Sequence, residues 1–353
     1  MQWLKNIRDF LAVLFEPDIV NDFVDDGRPY EVLPDIRSFM ENSVKGDYRL
    51  YPLRNGFCSS WGNRIVARNA DGEMLWITEG WGRCLAIHPE SVIFAAAEGS
   101  SLCLFNASTG RPLREPVNIG IYLDFLIWID KNRLLGTDGK SLYIFNDHAE
   151  QIDVIEGAID DDGFIGGLCL DLHHPDVITI LDVNGHRLVK IDLKLRQVIT
   201  EKDAAFADQL LYTAGQPWIW ATVVNGTTIE EIRVYDAKNL RERFGMVFKG
   251  KKGVRFANQA PNDISFHNFV SLPSLSPLRQ YFLVNDNSGL LWLIDARTGD
   301  KRRVFRRNLL DFVLHTHWLD EEHFVAMLDG GFVAKMSVRG TKLIWKENDF
   351  LLK

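Results

Sequence analysis

Residues 142–155 read LYIFNDHAEQIDVI, a short apolar run ending in Asn146, then a polar turn, then a run that alternates apolar with polar. Two antiparallel strands joined by a tight connection are written this way. Asn suits the junction, because a short polar side chain bonds to the backbone two residues on and starts a turn as the strand ends. Working outward, the phrase returns as IVARN before ADGEMLWI, LCLFN before ASTGRPL, LVKID before LKLRQVI, IRVYD before AKNLRERF, LWLID before ARTGDKRRVF and FVAKM before SVRGTKLIW.

The punctuating positions are Asn69, Asn106, Asn146, Asp192, Asp236, Asp295 and Met336, spaced by 37, 40, 46, 44, 59 and 41 residues. Met336 departs from the Asn/Asp rule and marks the least regular copy. Ahead of the hairpin lies a second recurring unit of strand, short turn and strand, as in LAIHPESVIFAAAEGSSLCLF and LIWIDKNRLLGTDGKSLYIF. Four strands per forty-odd residues, seven times, predict an all-β, seven-bladed β-propeller. A β-sandwich with a second domain would not repeat one phrase at near-constant spacing.

The turns HP and SP followed by an apolar strand, a Gly-containing turn and LWLID resemble the blades of WD-repeat proteins, and VARNADGEMLWITEG at 66–80 is similar to a quinoprotein-type repeat. The resemblance spans about residues 48–350 and is one of architecture: no WD dipeptide occurs, and the single Gly-His pair, Gly185-His186, falls inside a hairpin. It implies a divergent WD-repeat-like propeller acting as a non-catalytic protein-interaction scaffold. The alternative is a propeller enzyme of hydrolase, lactonase or dehydrogenase type, with a metal or cofactor at the central channel.

Composition sets the outer bounds. The 353 residues are 46% hydrophobic and 25% charged, with 27 Gly and 12 Pro, which is ordinary globular usage. A formal charge of −8 argues against whole-surface attraction to nucleic acid or anionic membrane. Cys58, Cys84, Cys103 and Cys169 show no CxxC spacing and read as free thiols in a reducing, cytoplasmic compartment. The longest apolar stretch, IYLDFLIWI at 121–129, is interrupted by Asp124, so no membrane span is expected. The N-terminus carries Lys5, Arg8 and Asp9 within its apolar run and has no small-residue cleavage site, unlike a signal peptide.

Residues 1–46 stand outside the repeat and form the first of two expected regions, the second being the propeller over 47–353. Trp3, Leu4, Ile7, Phe10, Leu11 and Leu14 follow the spacing of an amphipathic helix. Such a helix is marginal alone and needs a surface to pack on. It docks either across its own propeller or into a partner's groove. The long spacing between Asp236 and Asp295 places extra residues in KGKKGVRFANQAPNDISFHNF, 249–269. Long loops in compact domains tend to carry function. The expected partner-binding residues are therefore Trp3, Ile7, Phe10 and Leu14 on the helix, with Lys251, Lys252, Arg255 and His267 on the loop.

Other clusters read as structural. DKRRVFRR at 300–307 falls on the fourth strand of its copy, where charge keeps an edge from pairing with other chains. His315 and His317 share a strand face, but a zinc site needs more ligands than the sequence supplies nearby. His88 and His174 sit in turns. IDDDG at 159–163 lacks the alternating ligands of a calcium loop. No nucleophile elbow, metalloprotease helix or phosphate-binding loop occurs. No catalytic residue, metal or cofactor is expected.

Overall fold

The computed structural model describes the chain from Tyr48 to Asp349, apart from residues 161, 172–173, 205–206, 213–217, 226–227, 237, 248–273, 279, 286–290, 296–300, 306–312, 329–330 and 340–342. The expected N-terminal helix, and with it the first of the two expected regions, residues 1–46, lies outside those residues.

Every described element longer than a turn is a strand. Strands β1 (Tyr48–Leu53), β2 (Gly56–Trp61), β3 (Arg64–Asn69) and β4 (Met74–Glu79) form the first sheet, in that order. The second holds β5 (Cys84–Ile87), β6 (Ile93–Glu98), β7 (Ser101–Asn106) and β8 (Val117–Asn118). The third comprises β9 (Phe125–Trp128), β10 (Arg133–Thr137), β11 (Leu142–Asn146) and β12 (Gln151–Ile155). The fourth has β13 (Ile165–Leu170), β14 (Val177–Asp182), β15 (Arg187–Asp192) and β16 (Gln197–Asp203). The fifth has β17 (Ala207–Tyr212), β18 (Trp218–Asn225), β19 (Thr228–Asp236) and β20 (Glu242–Val247). The sixth is β21 (Ser274–Leu275), β22 (Tyr281–Asn285), β23 (Leu291–Asp295) and β24 (Lys301–Phe305). The seventh is β25 (Val313–Trp318), β26 (His323–Leu328), β27 (Phe332–Ser337) and β28 (Leu343–Asn348).

Each sheet is an antiparallel meander of consecutive strands. The seven phrases found in the sequence are the hairpins of the third and fourth strands, although in the second sheet β8 is only two residues long. The chain divides into two compact units. One contains the first five sheets together with Asp349, and the other contains the last two. In the larger unit the first strands of consecutive sheets lie beside one another, β5 against β9 and β13 against β17; in the smaller unit β21 lies against β25.

The core explains why the middle strands are apolar at nearly every position. In the second sheet Phe94, Ala96, Cys103 and Phe105 pack toward the first sheet, while Ala95, Ala97, Leu102 and Leu104 pack toward the third. Side chains alternate across a strand, so a sheet covered on both faces needs apolar residues at both parities. Fourth strands have lost that demand: β16 is exposed at six of its seven positions. Each core cluster lies between two consecutive sheets, joining the first to the second, the second to the third, the third to the fourth, the fourth to the fifth and the sixth to the seventh. Trp76, Phe94 and Phe105 stack at 5.5 and 4.7 Å within the first of these layers.

Indole N–H groups tie sheet to sheet where an apolar layer meets a strand end. Trp128 Nε1 donates to the Ala86 carbonyl at 3.2 Å and Trp318 Nε1 to that of Ser274 at 2.9 Å, each crossing between first strands. Trp76 Nε1 donates to the Ala107 carbonyl at 3.0 Å, beside Gly110, whose φ of +66° and lack of a Cβ let the turn lie on the indole ring.

The turn chemistry matches the sequence reading with one correction. Side-chain oxygens of Asn69, Asn106, Asn146, Asp192 and Asp236 each accept a backbone N–H from two residues on. Met336, read as the seventh punctuating residue, is instead buried in the core, and Ser337 takes the turn position, its Oγ accepting from Arg339 N at 3.1 Å. The β-bulge shows the offset. It precedes the turn residue in the same way at Ala67/Arg68, Val234/Tyr235 and Lys335/Met336, which puts the seventh turn at 337.

Candidate functional site

All eight expected partner-binding residues, Trp3, Ile7, Phe10, Leu14, Lys251, Lys252, Arg255 and His267, lie outside the described residues. The structure does place the other clusters singled out above. Lys301–Phe305 forms β24, the edge strand of the sixth sheet. His315 and His317 sit two apart on β25, and burial pushes His317 down to about 4, so it is neutral at pH 7. His323 turns instead to the Asp320 carboxylate, 2.9 Å away. No group of three or more His, Cys, Asp or Glu suited to a metal occurs among the described residues. His88 is a turn residue: its Nδ1 accepts from Glu90 N, leaving Nε2–H to donate to the Lys131 carbonyl at 2.9 Å.

The four cysteines are buried free thiols. Burial raises Cys58 and Cys169 well above the usual thiol range and pushes Cys103 up to about 11. None of these three is therefore a ready nucleophile, since the thiolate is the reactive form.

A surface groove of about 500 Å³ opens between the third and fourth sheets, lined by Arg133, Ile144, Ile152, Asp153, Asp176, Leu193, Lys194 and Arg196. Turn residues build it. Arg133, at the start of β10, bridges Asp130 at 2.8 Å and Asp176 at 2.6 Å, so the turn before β14 is fastened to the third sheet. Arg196, in the turn before β16, pairs with Asp153 of β12 at 2.5 Å. Apolar side chains stand out beside these pairs: Ile152 is 55% exposed, Leu195 62%, Val198 50% and Ile199 52%. Apolar surface bordered by ion pairs is the make-up of a binding patch, with a dry centre and a polar rim.

Two buried ion pairs went unforeseen in the sequence. On the first sheet Asp349 is fully buried, its Oδ1 accepting from Arg68 Nε at 2.9 Å and its Oδ2 from Ser59 Oγ at 2.6 Å and Trp61 Nε1 at 2.8 Å. Arg64 donates to the Asp349 carbonyl at 2.9 Å, and Arg68 also donates to Gly72 O at 2.6 Å. Burial pushes the Asp349 carboxyl above its ordinary range, against the pull of Arg68 and the donors around it. On the fourth sheet Lys190 Nζ lies 2.6 Å from Asp171 Oδ2 and 2.9 Å from the Lys238 carbonyl, both side chains being 4% exposed. The available signal was a lone charge inside an apolar third strand, Arg68 in IVARN and Lys190 in LVKID. On a sheet covered on both faces, such a charge must find a partner.

No family model matches the sequence, and no curated protein matches it either. Solved structures do. The chain is similar to the β-propeller domain of Cps50 (Swd1) from Myceliophteria thermophila, with a TM-score of 0.60, 10% identity, and coverage of 84% of this chain and 95% of that one. The fold is a β-propeller. It is also similar to BamB from Moraxella catarrhalis, with a TM-score of 0.50 and 12% identity over 85% of this chain and 84% of that one. At such identities the likeness concerns the architecture alone. No helix among its described residues is long and apolar enough to cross a membrane.

Proposed function

We propose that this propeller is a non-catalytic scaffold of the cytoplasm that binds a protein partner through its turns and its N-terminal segment. The observation that carries the reading is the groove between the third and fourth sheets. Its exposed Ile152, beside the buried Ile144 and Leu193, is framed by the paired Arg133, Asp176, Arg196 and Asp153, and Leu195 in the turn before β16 and Val198 and Ile199 on β16 are exposed as well. Exposed apolar side chains beside fixed charges suit a protein surface better than a small polar substrate. Four reduced, buried thiols support the cytoplasmic assignment.

The test is an affinity pull-down with mass spectrometry from native extract, using the full chain, a folded version lacking residues 2–15, and the full chain with Ile152→Glu and Leu195→Glu. A stoichiometric partner kept by the full chain and lost from either altered protein supports the scaffold and locates its contact. If neither change affects what is retained, or nothing is retained, the scaffold reading falls.

A further inference from the structure

The first sheet offers a set of donors that converge on one point. Ser59 and Trp61 are two apart on β2 and so share a face with Phe57, and Arg68 of β3 lies opposite Phe57 in the register. The other face of the sheet, with Cys58 and Ala67, packs on the second sheet. A hydroxyl, an indole N–H and a guanidinium are thus held by rigid strands, aimed away from the apolar layer. All of them can donate, and the guanidinium carries a fixed positive charge. Such a set calls for an anion with two acceptor oxygens.

The occupant comes from the far end of the sequence. The first sheet is built wholly of the consecutive strands β1–β4, and Asp349, the residue after β28, groups with it rather than with residues 250–348. Asp349 reaches the donors as a side chain, and both of its carboxylate oxygens are engaged. Arg64, itself paired with Glu79 at 2.7 Å, fixes the adjoining carbonyl.

We propose that Ser59, Trp61 and Arg68 form a carboxylate-binding site on the first sheet, which the chain fills in cis with the side chain of Asp349. Because Asp349 engages the converging donors through its carboxylate, a small carboxylate can take the place of that side chain once it is removed.

Chemical rescue tests this on the full chain. Asp349→Ala should melt below the wild type, and sodium formate should raise its melting temperature more than sodium chloride at the same ionic strength, with no such difference in the wild type or in Asp349→Ala combined with Arg68→Met. Equal effects of formate and chloride on Asp349→Ala, or a variant that melts with the wild type, would overturn the site. Should Asp349→Ala fail to fold, the wild type decides: the Trp61 indole proton, assigned by its loss in Trp61→Phe, should be protected from hydrogen exchange like a core amide. Exchange at the rate of an exposed tryptophan overturns the proposal.

Discussion

The first and fourth sheets each bury an ion pair, and the two pairs are built differently. Lys190 and Asp171 are 19 positions apart within one sheet, and the lysine also reaches the next sheet through the Lys238 carbonyl. Arg68 and Asp349 are 281 positions apart, the aspartate following directly on β28. One pair settles a charge where it arose. The other joins two positions far apart in the sequence. Both remove charge from water, which costs several kcal/mol per ion before attraction offsets it.

The sharpest break is Asp349→Ala. It strands the Arg68 guanidinium in a buried site, and the expected loss is about 3–5 kcal/mol, read from urea unfolding. Replacing both Arg68 and Asp349 by apolar residues should cost less than removing either, because no charge is left unpaired. The pH dependence sharpens this. Burial raises Asp349 in the folded state, so over the interval above its ordinary range the native protein holds a proton that the unfolded chain has released. Stability relative to Asp349→Asn should therefore rise as pH falls through that interval. A fall instead would mean that Arg68 outweighs burial.

Lys190→Met probes the local pair. Asp171 is left buried without its charged partner, so a loss of about 3–5 kcal/mol is expected here as well. A much smaller loss would show that a pair made within one sheet is more easily replaced than one made across 281 positions.

Contacts without charge come next. Trp128→Phe removes the indole N–H that bonds Ala86 O and leaves a carbonyl under the second sheet without its donor, for about 1–2 kcal/mol. Trp318→Phe, acting on Ser274 O, should match it, since the two bonds have the same design in different units. Thermal unfolding of both variants checks the parity.

How much of this could be read beforehand follows from the range of each interaction. The sheets were legible because a strand, an Asx turn and a strand are local: Asn106 and its acceptor geometry lie within a few residues. The buried pairs were not, because LVKID does not say whether the face bearing Lys190 is covered, and Asp349 near the chain's end gives no sign of Arg68. The groove was also missed. Its lining comes from the start of β10, from β11, from the edge strand β12 and from two turns, and no single short window of sequence contains them. The expected partner residues on the helix and the long loop rest on the sequence alone.

Local turns should show the smallest effects, and Ser337 gives the finest test. Sequence pattern put the seventh turn at Met336, whereas the bulge at Lys335/Met336 and the Ser337 Oγ bond to Arg339 N put it one residue later. Ser337→Ala should then cost about 0.5 kcal/mol, a single exposed hydrogen bond, and Ser337→Asn should cost nothing or stabilise slightly, since Asn fills this position in three of the other turns. Met336→Asn would do the reverse, placing an amide in the core of the seventh sheet at a cost of roughly 2 kcal/mol or more. If instead Met336→Asn were tolerated and Ser337→Asn were not, the turn would sit where the repeat spacing alone places it, and the one-residue offset would be wrong.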